Sequence, residues 1–298
     1  MPWLQIKIRT TPDLSESYED LLLSAGCAAV TFEDSEDQPI FEPDLGTTPL
    51  WSNTTITGLF ATEHNLEETL RFIKQGHQQL FPDTPLPSVK SEILEDKDWE
   101  REWMDNYHPM QFGERLWVCP SWCDAPNPDA INLMLDPGLA FGTGTHPTTA
   151  LCLEWLDSQA LEDEYLIDYG CGSGILGIAG LLLGAEKAIG VDIDPQALQA
   201  TKDNLLRNNQ PDDILHVFLP ENTPNDKADT LIANILAGPL VELAPTLADL
   251  VKVGGKLCLS GLLEAQENEI REAYSQWFDL DPVAEKDGWI RVTGSKRG

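Results

Sequence analysis

Positive charge is scarce in this sequence. Its 298 residues include 19 Lys and Arg against 50 Asp and Glu, which gives a formal net charge of −31. A protein that binds nucleic acid needs a basic surface to displace the counterions of the phosphate backbone, so the composition argues against direct nucleic acid binding. Two interpretations of the acid stay open. It attracts a basic protein partner over long range, or it solvates the surface in a saline cell.

Long apolar runs are also missing. No stretch of about 18 apolar residues occurs, and the first residues do not pair a basic segment with an apolar leader core. We therefore expect a cytoplasmic protein without a membrane segment. The six cysteines are scattered, and the one close pair, Cys119 and Cys123, has no His or second pair at metal-binding spacing nearby. The expectation is reduced thiols and no metal site.

A glycine-rich turn stands in the middle of the chain. The apolar run that contains Asp168 leads into the alternating glycines Gly170, Gly172 and Gly174, and helically spaced apolar residues resume at Ile175. This pattern predicts a buried strand that turns into a helix. Glycine lets a ligand lie against bare backbone, and the N–H groups at a helix start offer hydrogen-bond donors. A nucleotide-type ligand is predicted at this turn.

The first 95 residues predict a small α+β domain. Strand and helix patterns follow one another in the order β-α-β-β-α-β, which is the split βαβ or ferredoxin-like arrangement. Residues 96–112 then predict a linker helix, because Trp99, Trp103 and Tyr107 recur on one helical face. That face either docks the helix on a domain or makes the segment a hinge.

Residues 113–298 predict a second domain. After a strand pair comes a second glycine-rich loop around Thr143 and Thr145, whose hydroxyls are expected at the mouth of the site, and Pro147 suits the first turn of the next helix. From 165 onward, strands alternate with helices in the manner of a doubly wound, mostly parallel Rossmann-like sheet, which binds ligands at the carboxyl ends of its strands. The tail predicts an antiparallel hairpin on the sheet edge.

Two ligands compete for the glycine-rich turn. The segment 172–177 formally matches G-x-G-x-x-G, and Asp192 lies about 20 residues on, where a carboxylate accepts from ribose hydroxyls, so NAD is allowed. Against NAD, Asp168 puts negative charge where a pyrophosphate needs positive surroundings. The same carboxylate suits S-adenosylmethionine, which carries an ammonium group, a sulfonium and a ribose.

Several motifs together resemble a known family. Asp168 with its following glycines, and the acid at Asp192, resemble the first two motifs of class I S-adenosylmethionine-dependent methyltransferases. The segments 135–149, 234–239 and 96–110 are together similar to the methyltransferases of large-subunit ribosomal protein eleven, the PrmA family. The resemblance covers nearly the whole chain.

This resemblance implies S-adenosylmethionine as the cofactor, with Thr145, Gly170, Asp192 and Asn234 as cofactor-binding positions. The glycine-turn pattern adds Asp168 and Gly172 to that set. The resemblance also implies that the domain at 1–95 holds the substrate, a basic large-subunit ribosomal protein. The lysine ε-amines and the N-terminal α-amine of that substrate would be methylated.

Asn234 is also interpreted as a catalytic residue, because its amide can accept a hydrogen bond from an amine without adding charge. The alternative role is to cap the turn at 234–239. We expect a monomer. The alternative functions are an NAD-dependent oxidoreductase and a non-catalytic acidic chaperone of ribosomal proteins.

Overall fold

The chain divides into two units, Met1–Trp103 and Met104–Gly298. The computed structural model describes residues 2–36, 40, 48–95, 107–136 and 144–298. The elements of the first unit are β1 (Trp3–Thr10), α1 (Pro12–Ser24), β2 (Ala29–Asp34), β3 (Thr54–Ala61), α2 (Leu66–Leu80) and β4 (Val89–Leu94).

The four strands of this unit form an antiparallel sheet in the order β2-β3-β1-β4. Alternate residues of β1, Leu4, Ile6 and Ile8, are buried in one cluster with Leu22 of α1 and Ile73 of α2. Because successive side chains of a strand point to opposite faces, one face of the sheet carries the core and both helices. The ferredoxin-like prediction is confirmed in its element order and pairing.

A buried polar pair lies within this core. The Tyr18 hydroxyl is 2.7 Å from His77 Nδ1, and His77 Nε2 is 2.8 Å from the carbonyl oxygen of Thr84. A carbonyl oxygen only accepts, so Nε2 carries the ring hydrogen and Nδ1 accepts from Tyr18. Burial raises the pKa of Tyr18 to about 12, which keeps the hydroxyl protonated at neutral pH. The pair ties α1 to α2.

The predicted linker helix at 96–112 falls partly outside the described residues, together with Trp99 and Trp103. In its described part, residues 107–109 have no regular structure and Met110–Phe112 is a strand, β5. The helix prediction is therefore wrong over these six residues. The reason is tertiary: β5 pairs with β6 (Leu116–Cys119), and this pairing outweighs the helical spacing of the aromatic residues.

The second unit contains both of the remaining sheets. After β5 and β6, its elements are β7 (Ile131–Met134), α3 (Pro147–Asp157), β8 (Tyr165–Tyr169), α4 (Ile175–Leu182), β9 (Lys187–Val191), α5 (Pro195–Arg207), β10 (Leu215–Phe218), β11 (Ala228–Asn234), α6 (Ala237–Asp249), β12 (Val251–Leu263), α7 (Glu267–Tyr274), β13 (Phe278–Leu280), β14 (Ala284–Lys286) and β15 (Trp289–Lys296). Strands β5, β6 and β7 form a small sheet of their own. None of the described helices has the length and apolar content needed to span a membrane.

The large sheet has the order β10-β9-β8-β11-β12-β15-β13, with β14 paired to β15. Neighbouring strands from β10 to β12 run parallel, and one buried cluster lies on each face. Strand β8 is buried along its whole length, as expected for a parallel strand covered on both sides. The predicted doubly wound, Rossmann-like domain is confirmed.

The C-terminal hairpin differs from the prediction in one detail. Its turn is at Asp287 and Gly288, both with positive φ, as expected for a two-residue hairpin. The last strand, β15, does not lie on the sheet edge. It is inserted antiparallel between β12 and β13, because Phe278 is fully buried and its short strand pairs along the outer side of β15.

We expect Tyr18→Phe to destabilise the N-terminal unit by about 1–3 kcal/mol, because it leaves His77 Nδ1 buried without a donor. Urea unfolding followed by circular dichroism measures the loss. Thr57→Val is the matched control, since the Thr57 hydroxyl is buried and has no hydrogen-bond partner in the described chain. Its removal should cost little or nothing. Equal stability of the Tyr18 variant and the parent would contradict the assigned role of the pair.

Candidate functional site

The register of three parallel strands brings the site together. Tyr169 at the end of β8 pairs with Val191 of β9 on one side and with Ala233 of β11 on the other. The residues that follow these three positions, Gly170, Asp192 and Asn234, therefore emerge at the same edge of the sheet. This is the carboxyl edge, where ligands of doubly wound sheets bind. Three predicted site positions far apart in sequence thus become neighbours.

Backbone hydrogen bonds join the glycine-rich turn to β9. The N–H groups of Gly170 and Cys171 both donate to the carbonyl oxygen of Val191, at 2.7 and 3.0 Å. Gly170 has φ +79°, and a Cβ built on it would lie 2.2 Å from Cγ2 of Ile235. A side chain here would have to adopt a left-handed φ and would also displace the Ile235 side chain, so the position favours glycine. The predicted strand-to-helix turn is confirmed, and α4 begins directly after it.

Asp168 differs from its predicted setting at the strand tip. The side chain is 1% exposed, and Oδ2 accepts a hydrogen bond from the Gly177 N–H at 2.8 Å, which ties β8 to α4. The other oxygen, Oδ1, is buried without a hydrogen-bond partner in the described chain. Burial raises the pKa of Asp168 to about 7. The Gly177 hydrogen bond opposes this shift, and the charge of Asp192 adds to it.

Asp192 joins the glycine turn to the turn after β9. One carboxylate oxygen accepts from the Gly172 N–H at 2.9 Å, and the other accepts from the Asp194 N–H at 3.0 Å. The side chain is half-buried, so it remains accessible at the carboxyl edge. The neighbouring acid, Asp194, accepts from the Gln196 N–H and caps α5.

Asn234 ends β11 and does not cap the following helix. Its Nδ2 donates to the hydroxyl of Thr149 at 3.3 Å, whereas its Oδ1 is buried without a partner in the described chain. The N-cap of α6 is Leu236, with no side-chain hydrogen bond there. The alternative role of Asn234 as a cap is therefore wrong. Sequence reasoning missed Thr149, although the residue stands in the same motif as Thr145.

Thr145 lies on the segment that enters α3. It is exposed, lies four residues before Thr149, and follows Gly144, which packs near Ile175 at the start of α4. The next residue, His146, caps α3 by accepting from the Thr148 N–H, and burial lowers the pKa of its ring. Residues 137–143, which include Thr143, lie outside the described residues.

These features fit S-adenosylmethionine. Oδ1 of Asp168 is a buried acceptor with no donor among the described residues, and an ammonium group supplies N–H donors of this kind. The glycine turn presents backbone where a Cβ would collide. A Rossmann-like sheet with a glycine turn and a carboxylate after its second parallel strand indicates a nucleotide-cofactor enzyme, and the buried Asp168 carboxyl favours the methyltransferase type over a dinucleotide enzyme.

The chain belongs to the ribosomal protein L11 methyltransferase (PrmA) family, whose model matches residues 2–297. A ribosomal protein L11 methyltransferase from Pseudomonas fluorescens (strain Pf0-1) is 58% identical over 297 residues, covering 100% of both chains. One from Marinomonas sp. (strain MWYL1) is 59% identical over 296 residues, covering 99% of both. A crystal structure of a ribosomal protein L11 methylase from Lactobacillus delbrueckii subsp. bulgaricus matches with a TM-score of 0.58 and 28% identity, covering 64% of this chain and 99% of that one.

The comparisons confirm the family resemblance, the methyltransferase class and S-adenosylmethionine as the cofactor. A nicotinamide-dependent oxidoreductase and a non-catalytic chaperone are no longer needed as explanations.

Asp168→Asn is expected to stabilise the ligand-free protein more at pH 8 than at pH 4.5. Because burial raises the pKa of Asp168 from 3.8 to about 7 in the folded chain, the folded state binds its proton more tightly than the unfolded state. Wild-type stability therefore falls as pH rises across that interval, and an uncharged amide removes this loss. Asn also keeps an oxygen for the Gly177 N–H.

Thermal unfolding of both proteins at the two pH values measures this difference. Asp194→Asn is the control, because that acid is exposed and no burial penalty is expected. A stability difference that does not change with pH would mean that Asp168 ionises like an exposed carboxyl.

Proposed function

We propose that this chain transfers methyl groups from S-adenosylmethionine to ribosomal protein L11, at lysine ε-amines and the N-terminal α-amine. The observation that carries the proposal is the meeting of the glycine turn, Asp192 and Asn234 at one edge of the sheet, in a chain matched along its length by one family. Because the substrate is a ribosomal protein, the reaction would take place in the cytoplasm. We also expect a monomer that does not bind nucleic acid directly.

The predicted residues around the glycine turn would hold the cofactor. The Asp192 carboxylate would accept from the ribose hydroxyls, while Gly170 and Gly172 leave room for the cofactor against the turn. Asp168 would supply negative charge, and a free acceptor, for the ammonium group. Thr145 would close the site from the α3 side. When bound, the cofactor supplies a methyl group on a sulfonium, which is activated for displacement.

The protein must present a neutral amine in line with that methyl group. With a lysine pKa of about 10.4, roughly one amine in 1,000 is neutral at pH 7.4, so a pocket without charge beside the amine favours the reactive form. Asn234 would meet this need, because its Oδ1 has no hydrogen-bond partner in the described chain and would accept from the amine without adding charge. Catalysis would then rest mainly on positioning.

The acid excess supports a basic substrate. A net charge of −31 attracts a basic protein over about 8–10 Å at physiological salt and is screened as salt rises. The N-terminal unit, with its own core and sheet, would hold the substrate, and the second unit would hold the cofactor.

The test is transfer of label from methyl-labelled S-adenosylmethionine to total ribosomal protein. We expect label in a single small basic protein, identified by mass spectrometry as L11. Asp192→Ala should bind the cofactor roughly 10- to 100-fold more weakly, because it loses hydrogen bonds to a charged group. Asp194→Ala, which removes only the α5 cap, should still transfer label. No label in any band would overturn the proposed function.

Removal of residues 1–95 should abolish methylation of L11 while cofactor binding persists, because the described site residues all lie in the second unit. Calorimetric titration with S-adenosylmethionine and the label assay measure the two effects separately. If the shortened chain methylated L11 as fast as the full chain, the N-terminal unit would not be the substrate-holding domain.

A further inference from the structure

The amide of Asn234 is held by a residue to which no role has been given so far. Its Nδ2 donates to the hydroxyl of Thr149 at 3.3 Å, and Thr149 is completely buried on α3. A threonine hydroxyl can donate as well as accept, so this bond fixes the position of the amide, and in the structure it is the donating end that meets Thr149. Oδ1 is thereby left as the end without a partner in the described chain.

The backbone after Asn234 is supported from the neighbouring strand. The pairing between β12 and β15 shifts register between Leu259 and Leu262, which marks a bulge that contains Gly261. Gly261 has φ +85°, and a Cβ built there would lie 2.2 Å from the carbonyl oxygen of Ile235 and 2.7 Å from its carbonyl carbon. The peptide after Asn234 therefore lies directly against a position that only glycine can occupy.

We propose that Thr149 and Gly261 are positioning residues, which hold the Asn234 amide where its unpartnered Oδ1 can accept from the substrate amine. This inference rests on the proposed function and adds two residues to it. Thr149 acts on the side chain through a hydrogen bond, and Gly261 acts on the backbone through the space that it leaves.

The orientation matters for methyl transfer. The attacking amine needs its lone pair directed at the methyl group, and an acceptor oxygen holds its N–H hydrogens away from that line. If the amide shifts from its place, Oδ1 no longer holds the amine in that line. Loss of either support should therefore lower kcat while cofactor affinity changes little.

The first experiment compares three threonine variants in the full-length chain. Thr149→Val removes the hydroxyl at nearly constant volume, and we expect kcat for L11 methylation to fall about 10-fold. The KM for S-adenosylmethionine should stay within about 2-fold. Thr149→Ser retains the hydroxyl and should restore most of kcat.

The third variant, Thr230→Val, is the control. Thr230 lies in the same strand as Asn234 and is completely buried, and its hydroxyl donates to Glu164 at 2.6 Å. It should lose stability but not kcat. A wild-type kcat in Thr149→Val, or an equal loss in Thr230→Val, would overturn the assignment of Thr149.

The second experiment compares two glycines of β12. Gly254 has φ +78°, similar to Gly261, but a Cβ built on it meets nothing within 4 Å. Gly261→Ala should lower kcat by about 10-fold or more, whereas Gly254→Ala carries the same backbone strain and should leave kcat unchanged. Equal kcat in the two variants would remove Gly261 from the proposal.

Wild-type protein is assayed in parallel in both experiments. Failure of the wild type to label L11 would overturn the proposed function itself, whereas an active wild type with unaffected variants would overturn only the positioning roles.

Discussion

The hydrogen bonds from Gly170 and Cys171 to the Val191 carbonyl are the constraint on which the site depends. They hold the turn after β8 against the end of β9. The position of this turn determines where α4 begins and where the Gly172 N–H meets the Asp192 carboxylate. The opposite side of the turn is also constrained, because the Ile235 side chain occupies the space that a side chain at position 170 would need. A cofactor-binding surface made of backbone atoms is rigid only where the surrounding residues permit a single backbone conformation.

The burial of Asp168 shows how a residue of this site lowers the stability of the folded chain. A carboxylate in an apolar surrounding favours its protonated form, and only one of its two oxygens has a hydrogen-bond partner in the described chain. The protein tolerates this arrangement because Oδ2 anchors α4. The cationic cofactor of the family would recover part of the cost. Negative charge would thus act at two distances. The Asp168 carboxyl would act on the cofactor at short range, and the acidic surface would attract the basic substrate at long range.

Much of the fold was predictable from periodicity. The two helices and four strands of the N-terminal unit, and the alternation after 165, follow from local apolar patterns that report burial directly. The position of β15 was not predictable, because an antiparallel strand looks the same in sequence whether it lies at an edge or between two partners. The helix expected up to Phe112 was wrong for a related reason, since pairing with β6 is invisible in a local window.

The sequence by itself determined the glycine turn, the acids at Asp168 and Asp192, the charge balance and, through its motifs, the family. These are properties of short segments or of composition, and short segments carry their own conformational preferences. Only the tertiary structure decided that Asp168 is buried, that Asn234 bonds to Thr149, 85 positions away, and that Gly261 lies against the Ile235 peptide. These contacts depend on strand order and register, which are set by how all the strands pack at once.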